Sequence, residues 1–561
     1  MAAKTPALTE SGMTHRQVLQ ALSGLLLGMF VSMLASTVVS TSLPVIVHDL
    51  GGDQAAFTWV VTATLLTTAI STPIWGKLAD LFNRKLLIQL AIALFVLATA
   101  AAGFAQDPGT LIAFRAVQGL GAGGLAALSQ IIMADIISPR ERGRYMGLFG
   151  AVMALATIGG PLLGGVVTDS LGWRWNFYIA IPFAIVALIL LQVTLNVQQT
   201  KRKAHIDYLG IVLLSAAVSL LLIWITNAGT DYEWWSLTTI LMVGGALIST
   251  VVFVVVELRS REPLIPLRMF RNRTFTLSVL ASIATGIAMF GASVFLSQYM
   301  QMARGATPTE AGLMTIPMIG GLLVSSVVVG QLISRFGRWK SYLVVGSILL
   351  IAGLWLLTTI EYDTNFVLVS IYMFLMGAGV GMTMQNLVLV VQNTARPEEI
   401  GVASSGVTFF RSLGGTVGVS VMGAALATTV ADLFTSSKEA LATAIESLGP
   451  EGAAVAEQLQ SGALPAVHSL PASVQVIVED IYAQGISNSF LIAVPFALLS
   501  LIAVIFLPNT PLTRMTTKER LEAGEADLAT VSAAEGMSSI TATGPIPTTD
   551  ATARRSRRGR R

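Results

Sequence analysis

Two arginines, Arg115 and Arg411, lie in long apolar tracts with no acidic residue within two helical turns of either. A guanidinium in lipid costs at least about 2.5 kcal/mol, so each must face a water-filled cavity or a buried polar partner. Gln118, one helical turn beyond Arg115, is spaced to hydrogen-bond beside it. A second charged group closes an apolar tract in the run Gly76-Lys-Leu-Ala-Asp80-Leu-Phe-Asn-Arg84-Lys85. Asp80 can pair with Arg84 and with the positive amino end of another helix, which would hold one conformation shut. These groups suit conformational switching rather than bond chemistry. The chain has no cysteine and four scattered histidines, so no metal site is expected. It also lacks an HExxH pair, a Ser/His/Asp set, paired mid-span carboxylates and a Gly-x-x-x-x-Gly-Lys-Ser/Thr loop. Neither an enzyme nor a cofactor is expected.

The elements that must carry these residues are membrane helices. Of 561 residues, 54% are hydrophobic and only 12% are charged, about half the charged share of a soluble domain. A net charge of +3 gives no reason to expect nucleic acid. Apolar runs long enough to span a bilayer number fourteen between residues 21 and 507. All 34 lysines and arginines fall on one side of these spans or in the tails, except Arg174, Arg304 and Lys438 opposite and Arg115 and Arg411 within. The positive-inside rule then places both termini in the cytoplasm.

The chain also repeats internally. Gly76 to Lys85 resembles Gly330-Gln-Leu-Ile-Ser334-Arg-Phe-Gly337-Arg338, and Gly159-Gly160-Pro161-Leu-Leu-Gly164-Gly165 echoes Gly414-Gly415-Thr-Val-Gly418. The expected organisation is an all-α membrane protein with a cytoplasmic tail over 1–20, a six-helix bundle over 21–200 and two additional helices over 201–260. A second six-helix bundle follows over 261–512. It includes an acidic, partly helical extracytoplasmic loop over 431–486, and a disordered basic cytoplasmic tail covers 513–561. Parallel six-helix repeats with a mid-membrane site between them are what alternating access requires. In the second loop Ser334 stands where the first has Asp80, so any latch is asymmetric.

These motifs resemble the major facilitator superfamily, and specifically its fourteen-span drug exporter branch, whose members couple efflux to protons. The run Gly76 to Lys85 is similar to the family's loop between spans two and three, and Arg115-Ala-Val-Gln118-Gly119-Leu-Gly121 to its intramembrane arginine motif. Gly159 to Gly165 resembles its exporter motif, and Trp173-Arg174-Trp175-Asn176-Phe177, Asp207-Tyr-Leu-Gly210 and Arg411-Ser-Leu-Gly414-Gly415 fit the same branch. The resemblance implies a gating role for Gly76, Asp80, Arg84, Lys85 and Arg338, and a coupling role for Arg115, Gln118 and Arg411. The glycines and Pro161 of the exporter motif should let span five bend and approach neighbours on the side of spans eleven to fourteen, sealing one cavity face. One departure stands out: Ala35 occupies the place of an aspartate usual in the first span.

Ser36, Ser40, Trp59, Thr62, Phe290, Gln298, Tyr299, Gln385, Asn386 and Phe410 combine aromatic faces with scattered polar groups and are candidate cavity walls. The expected function is secondary active export of hydrophobic or amphipathic small molecules from the plasma membrane. The alternative is export or flipping of an endogenous lipid, with an acceptor docking at loop 431–486. Without a mid-span acid, a neutral, amphipathic or monocationic substrate is favoured over a dication.

Overall fold

Backbone polar groups cannot be left open in lipid, so apolar tracts of this length must form helices. The computed structural model describes residues 15–51, 54–137, 170–195, 207–227, 232–260, 263–265, 267–306, 308–396, 399–449 and 470–513, part of 145–168, and a few residues near 455, 467 and 519. The elements of the first part are α1 (His15–Asp49), α2 (Gln54–Leu81), α3 (Arg84–Ala102), α4 (Pro108–Ile136), helical residues between 145 and 171, the single turn α5 (Trp175–Tyr178) and α6 (Ala180–Thr194). Next come α7 (Tyr208–Asn227) and α8 (Leu237–Arg259), then a short 3-10 turn at Leu267–Arg271. The last part comprises α9 (Arg273–Met302), α10 (Pro308–Met314), α11 (Ile316–Phe336), α12 (Lys340–Leu357), α13 (Phe366–Thr394), α14 (Ile400–Ser436), α15 (Lys438–Glu446) and α16 (Ala472–Phe506).

Twelve helices among the described residues are long and apolar enough to cross a membrane. The 28-residue helix α2 and the helical residues between 145 and 171 occupy the second and fifth expected spans. The basic tail after 513 lies, residue 519 apart, outside the described residues. The helix α14 continues to Ser436 and α16 begins at Ala472, so both ends of the segment 431–486, with Glu479 and Asp480, are helical. At 1.5 Å per residue these two helices run roughly 50 Å or more, well beyond a hydrocarbon core of about 30 Å.

Side-chain caps set where several helices begin. Asn83 accepts the amides of Lys85 and Leu86 at 2.9 and 3.3 Å to open α3, Asp107 accepts Thr110 at 2.9 Å to open α4, and Asn272 and Asn365 do the same for α9 and α13. Each satisfies amide donors that the first helical turn leaves open.

The order of packing repeats along the chain. In the first part α4 packs on α2 and α3, and α1 on α6; in the last, α13 packs on α11 and α12, and α9 on α16. Glycines fix the crossings at matching positions. A Cβ on Gly119 or Gly123 of α4 would collide with the α2 backbone at Thr64 and Thr68, and one on Gly377 or Gly381 of α13 with α11 at Met318 and Leu322. The α2 positions thus map onto α11 with an offset of 254 and the α4 positions onto α13 with an offset of 258. Backbones this close gain dispersion contacts, the main attraction between helices where no hydrophobic effect operates. The helices α7 and α8 pack on each other, and α7 also touches α2 and α14. One face of α8 stays bare, with Leu237, Ile240, Leu241 and Leu247 exposed.

Replacing Gly121 by valine places a Cβ 2.6 Å from the Phe95 amide nitrogen, so α3 and α4 must part. The expected cost is about 1–3 kcal/mol, read as a lowered unfolding temperature in detergent. Gly244→Ala, with no neighbouring atom within 4 Å of the new Cβ, should leave that temperature unchanged.

Candidate functional site

At one end of the helices, Asp80 joins the first bundle to the second. One carboxylate oxygen accepts the Gly401 amide at 3.2 Å and the other the Val402 amide at 3.1 Å, both in the first turn of α14. An anion is favoured there because first-turn amides are open and the helix dipole is positive. Arg84 lies 3.5 Å from Asp80 and also pairs with Asp135 at the end of α4. All three side chains are largely buried, at 7%, 12% and 13% exposure. The surfaces around the carboxylate must also be small. A Cβ on Gly401 would strike Asp80, and one on Gly76 would strike Ser405 of α14.

The corresponding loop later in the chain does different work. Arg338 is exposed, while Lys85 and Lys340, offset by 255, perform matching tasks. Lys85 Nζ donates to Gln192 O at the carboxyl end of α6, and Lys340 Nζ to Leu507 O at that of α16, each at 2.7 Å. Both cations sit on the negative end of a helix dipole. Between Arg338 and Lys340, Trp339 donates its indole N–H to Thr510 O at 2.8 Å. At the opposite end Trp173 donates to Asp49 at 2.7 Å, with Arg174 4.2 Å over its ring, so the start of α5 is pinned to the end of α1. Asp207 opens α7 by accepting the Gly210 amide at 2.8 Å.

Arg115 has polar but neutral partners. It donates to Gln118 Oε1 at 2.7 Å and to Val60 O at 3.4 Å, and Gln118 Nε2 donates to Thr99 on α3 at 2.8 Å. The chain of bonds ties α2, α3 and α4 together inside the first bundle rather than facing the space between bundles. Applying the repeat offsets, Arg115, Gln118 and Thr99 become Met373, Met376 and Leu354, all buried. The second bundle therefore packs the same crossing with apolar side chains alone.

Arg411 lies about 15 Å along α14 from its amino end, near mid-membrane depth. It donates to Met384 O at 3.3 Å and lines a cavity of about 110 Å³ between the bundles. Met29, Met33, Leu125 and Met384 form its apolar wall, and Ser32, Gln130, Gln385 and Thr408 its polar one. Gln130 Nε2 donates to Gln385 Oε1 at 2.9 Å across the two bundles, and Gln392 Nε2 donates to Gln130 O at 3.4 Å and to Ser404 at 2.8 Å. The first of these bonds is part of the cavity wall, and the Gln392 bonds extend it toward the first turn of α14.

Of the cavity residues expected from sequence, Gln385 lines this space. Ser36 lies one turn along α1 from Ser32; the side chains of Ser40 and Thr62 lie outside the described residues. Tyr299 is fully buried and donates to Glu361 O at 2.7 Å, and Asn386 donates to Met382 O on its own helix at 2.7 Å. Phe290 packs beside Gly415, and Phe410 stacks edge-on with Phe409 and Phe270. Trp59 and Gln298 are half-buried outside the cavity lining. Met29, Ser32, Gln130 and Thr408 are additions; mid-span polar side chains in repeat-forming helices were the available signal.

One expectation needs correction. The exporter-type glycines meet α1 within the same bundle rather than spans eleven to fourteen: a Cβ on Gly160 would collide with Thr37, and one on Gly164 would lie 2.9 Å from Val38 O. Gly159 sits 3.9 Å from Leu34 by the same measure, whereas Pro161 and Gly165 lie outside the described residues. Gly414 and Gly418 meet α9 in the same way. Ala35, at the place of the usual aspartate, is fully buried in the first bundle's apolar core, where a carboxylate would be costly.

Two substitutions test these assignments. Asp80→Asn removes the charge from a pair of charge-assisted bonds worth about 1.5–3 kcal/mol each, so cysteine cross-linking between α2 and α14 at this end should fall roughly tenfold or more. Arg115→Met copies the apolar crossing of the second bundle. It should give normal amounts of folded protein and no transport, and transport at the unsubstituted rate would make Arg115 a packing residue only.

Comparison with known proteins agrees with this architecture. The family model described as Major Facilitator Superfamily matches residues 25–419. The Multidrug transporter protein MdtP of Bacillus subtilis (strain 168) is 36% identical over 78% of this chain and 80% of its own length. Multidrug resistance protein 3 of the same organism is 30% identical over 86% of this chain and 94% of its own. Among solved structures, the proton:xylose symporter XylE superposes with a TM-score of 0.56 at 14% identity, covering 91% of this chain and 99% of that one, a likeness of fold. The chain belongs to the Major Facilitator Superfamily and is a multi-pass membrane transporter.

Proposed function

We propose that the protein is a secondary active exporter of hydrophobic or amphipathic small molecules. It works by alternating access between two six-helix bundles, with α7 and α8 as the additional pair, fourteen spans in all. It sits in the plasma membrane with both termini in the cytoplasm, which puts the Asp80 end on the cytoplasmic side. The observation that carries this reading is the bonding of Asp80 to the first turn of α14. It ties two separately packed bundles at one end, through a few polar bonds that can break and re-form. With those bonds made, the structure is the state closed toward the cytoplasm.

The relatives named as multidrug proteins support efflux, and the methionine-rich cavity wall supports ligands of varied shape. A cavity of about 110 Å³ is smaller than the roughly 300–1,000 Å³ that drug-sized ligands occupy. Substrate therefore enters when the bundles part at the cytoplasmic end, and the closed state retains only part of that space. Opening requires release of the Asp80 carboxylate from α14, and protonation of Asp80 would weaken that bond. A membrane potential of 100 mV contributes about 2.3 kcal/mol per charge, enough for roughly fifty-fold accumulation.

Reconstitution into proteoliposomes with an imposed pH gradient tests this directly. Dye should move against its concentration gradient, and collapse of the pH gradient by an uncoupler should reduce the movement to passive leak. Undiminished uphill movement after uncoupling would contradict gradient drive.

A further inference from the structure

The cavity holds one charge and an unmet acceptor, and together they define a ligand. Among the described residues that line it, Arg411 is the one ionisable side chain. It is 7% exposed, and among the described residues its guanidinium makes one hydrogen bond, of 3.3 Å to Met384 O, with no carboxylate within ion-pair distance. Four of its five N–H donors are thus available to a partner. Thr408, one turn before it on α14, and Ser32 on α1 add hydroxyls to the same space. On the facing wall Gln130 is 4% exposed, gives its amide N–H to Gln385, and leaves Oε1 buried with no hydrogen-bond partner. A buried acceptor left open costs about 1–3 kcal/mol, and an unpaired buried guanidinium costs more.

We infer that the cavity selects amphipathic organic anions: a carboxylate, sulfonate or phosphate head against Arg411, with a neighbouring hydroxyl or N–H group donating to Gln130 Oε1. The apolar body of the ligand lies along Met29, Met33 and Met384, whose unbranched side chains adapt to different shapes. This rests on the export reading and narrows its substrate class. It also gives a purpose to the absence of acid among the described lining residues. A carboxylate at this depth would neutralise Arg411 and repel the head group, whereas a lipophilic cation would meet like charge in a low-dielectric space. The small volume holds such a head and a few carbons, so the closed state grips the charged part of the ligand.

The test uses two xanthene dyes of nearly equal size and opposite charge, fluorescein and rhodamine 123, with the full chain in lipid nanodiscs. Fluorescence anisotropy should show fluorescein binding more tightly than rhodamine 123. Arg411→Gln should weaken fluorescein roughly tenfold or more, Arg411→Lys should weaken it less, and rhodamine 123 should bind Arg411→Gln as well as or better than the unsubstituted protein. Gln130→Glu, which adds an anion beside the head group, gives a second reading if Arg411→Gln does not fold, and should shift preference toward rhodamine 123. Tighter binding of rhodamine 123 by the unsubstituted protein, or unchanged fluorescein affinity in the folded variants, would overturn the inference. Proteoliposomes under a pH gradient separate the two readings. Fluorescein binding that follows this pattern without uphill movement of either dye keeps the anion site and removes the export function.

Discussion

The bond between the Asp80 carboxylate and the first turn of α14 is the constraint on which the arrangement of the two bundles depends. Each bundle is held by apolar crossings and glycine-mediated backbone contact, which are numerous and insensitive to which way the bundles lean. Between the bundles, apolar contact of α2 with α14 is joined by polar bonds, Asp80 to Gly401 and Val402 and the Gln130, Gln385 and Gln392 amides, at distances of 2.9 to 3.4 Å. Such bonds are directional, so they define one arrangement closely, yet each has a modest net worth. A two-state device needs that combination of rigid bodies and a weak, specific seam.

The repeat makes the asymmetry of the device visible. The same glycine crossings and the same lysine-to-helix-end bonds recur in both bundles. The buried charge cluster does not recur. Asp80, Arg84 and Asp135 form it in the first bundle, whereas the second has Ser334 at the place of Asp80 and an exposed Arg338 at that of Arg84. Arg115 and Gln118 likewise face Met373 and Met376 across the repeat. The duplicated scaffolding thus carries its buried ion-pair cluster in the first bundle, while Arg411, in the second, lines the cavity.

Much of this was legible in the sequence because lipid makes polar residues expensive. An acid at fixed spacing from two bases at the end of an apolar tract pointed to the Asp80 contact, and a mid-span arginine one turn from Gln118 pointed to their hydrogen bond. The stripe of α1 that faces the cavity was also recognised at Ser36, since Met29, Ser32 and Ser36 lie on one helical face, but at a different depth. Depth depends on how far the bundles lean, which no local pattern encodes. Tyr299 and Phe410 are amphipathic or aromatic residues whose partners lie on distant segments, so composition could not separate cavity wall from core. The glycine motif at 159 to 165 declared a close approach but not which helix approaches, because a missing Cβ records only that space is needed.

The central claim is that the Asp80 end opens and closes during transport. The chain has no cysteine, so paired spin labels can be introduced at the exposed positions Phe82 and Arg396 without altering native thiols. The distance between them should show one short population at rest and a second, longer one when a pH gradient and a transported anion are supplied. A single distribution, unchanged by gradient, ligand or loss of the Asp80 carboxylate, would contradict the account.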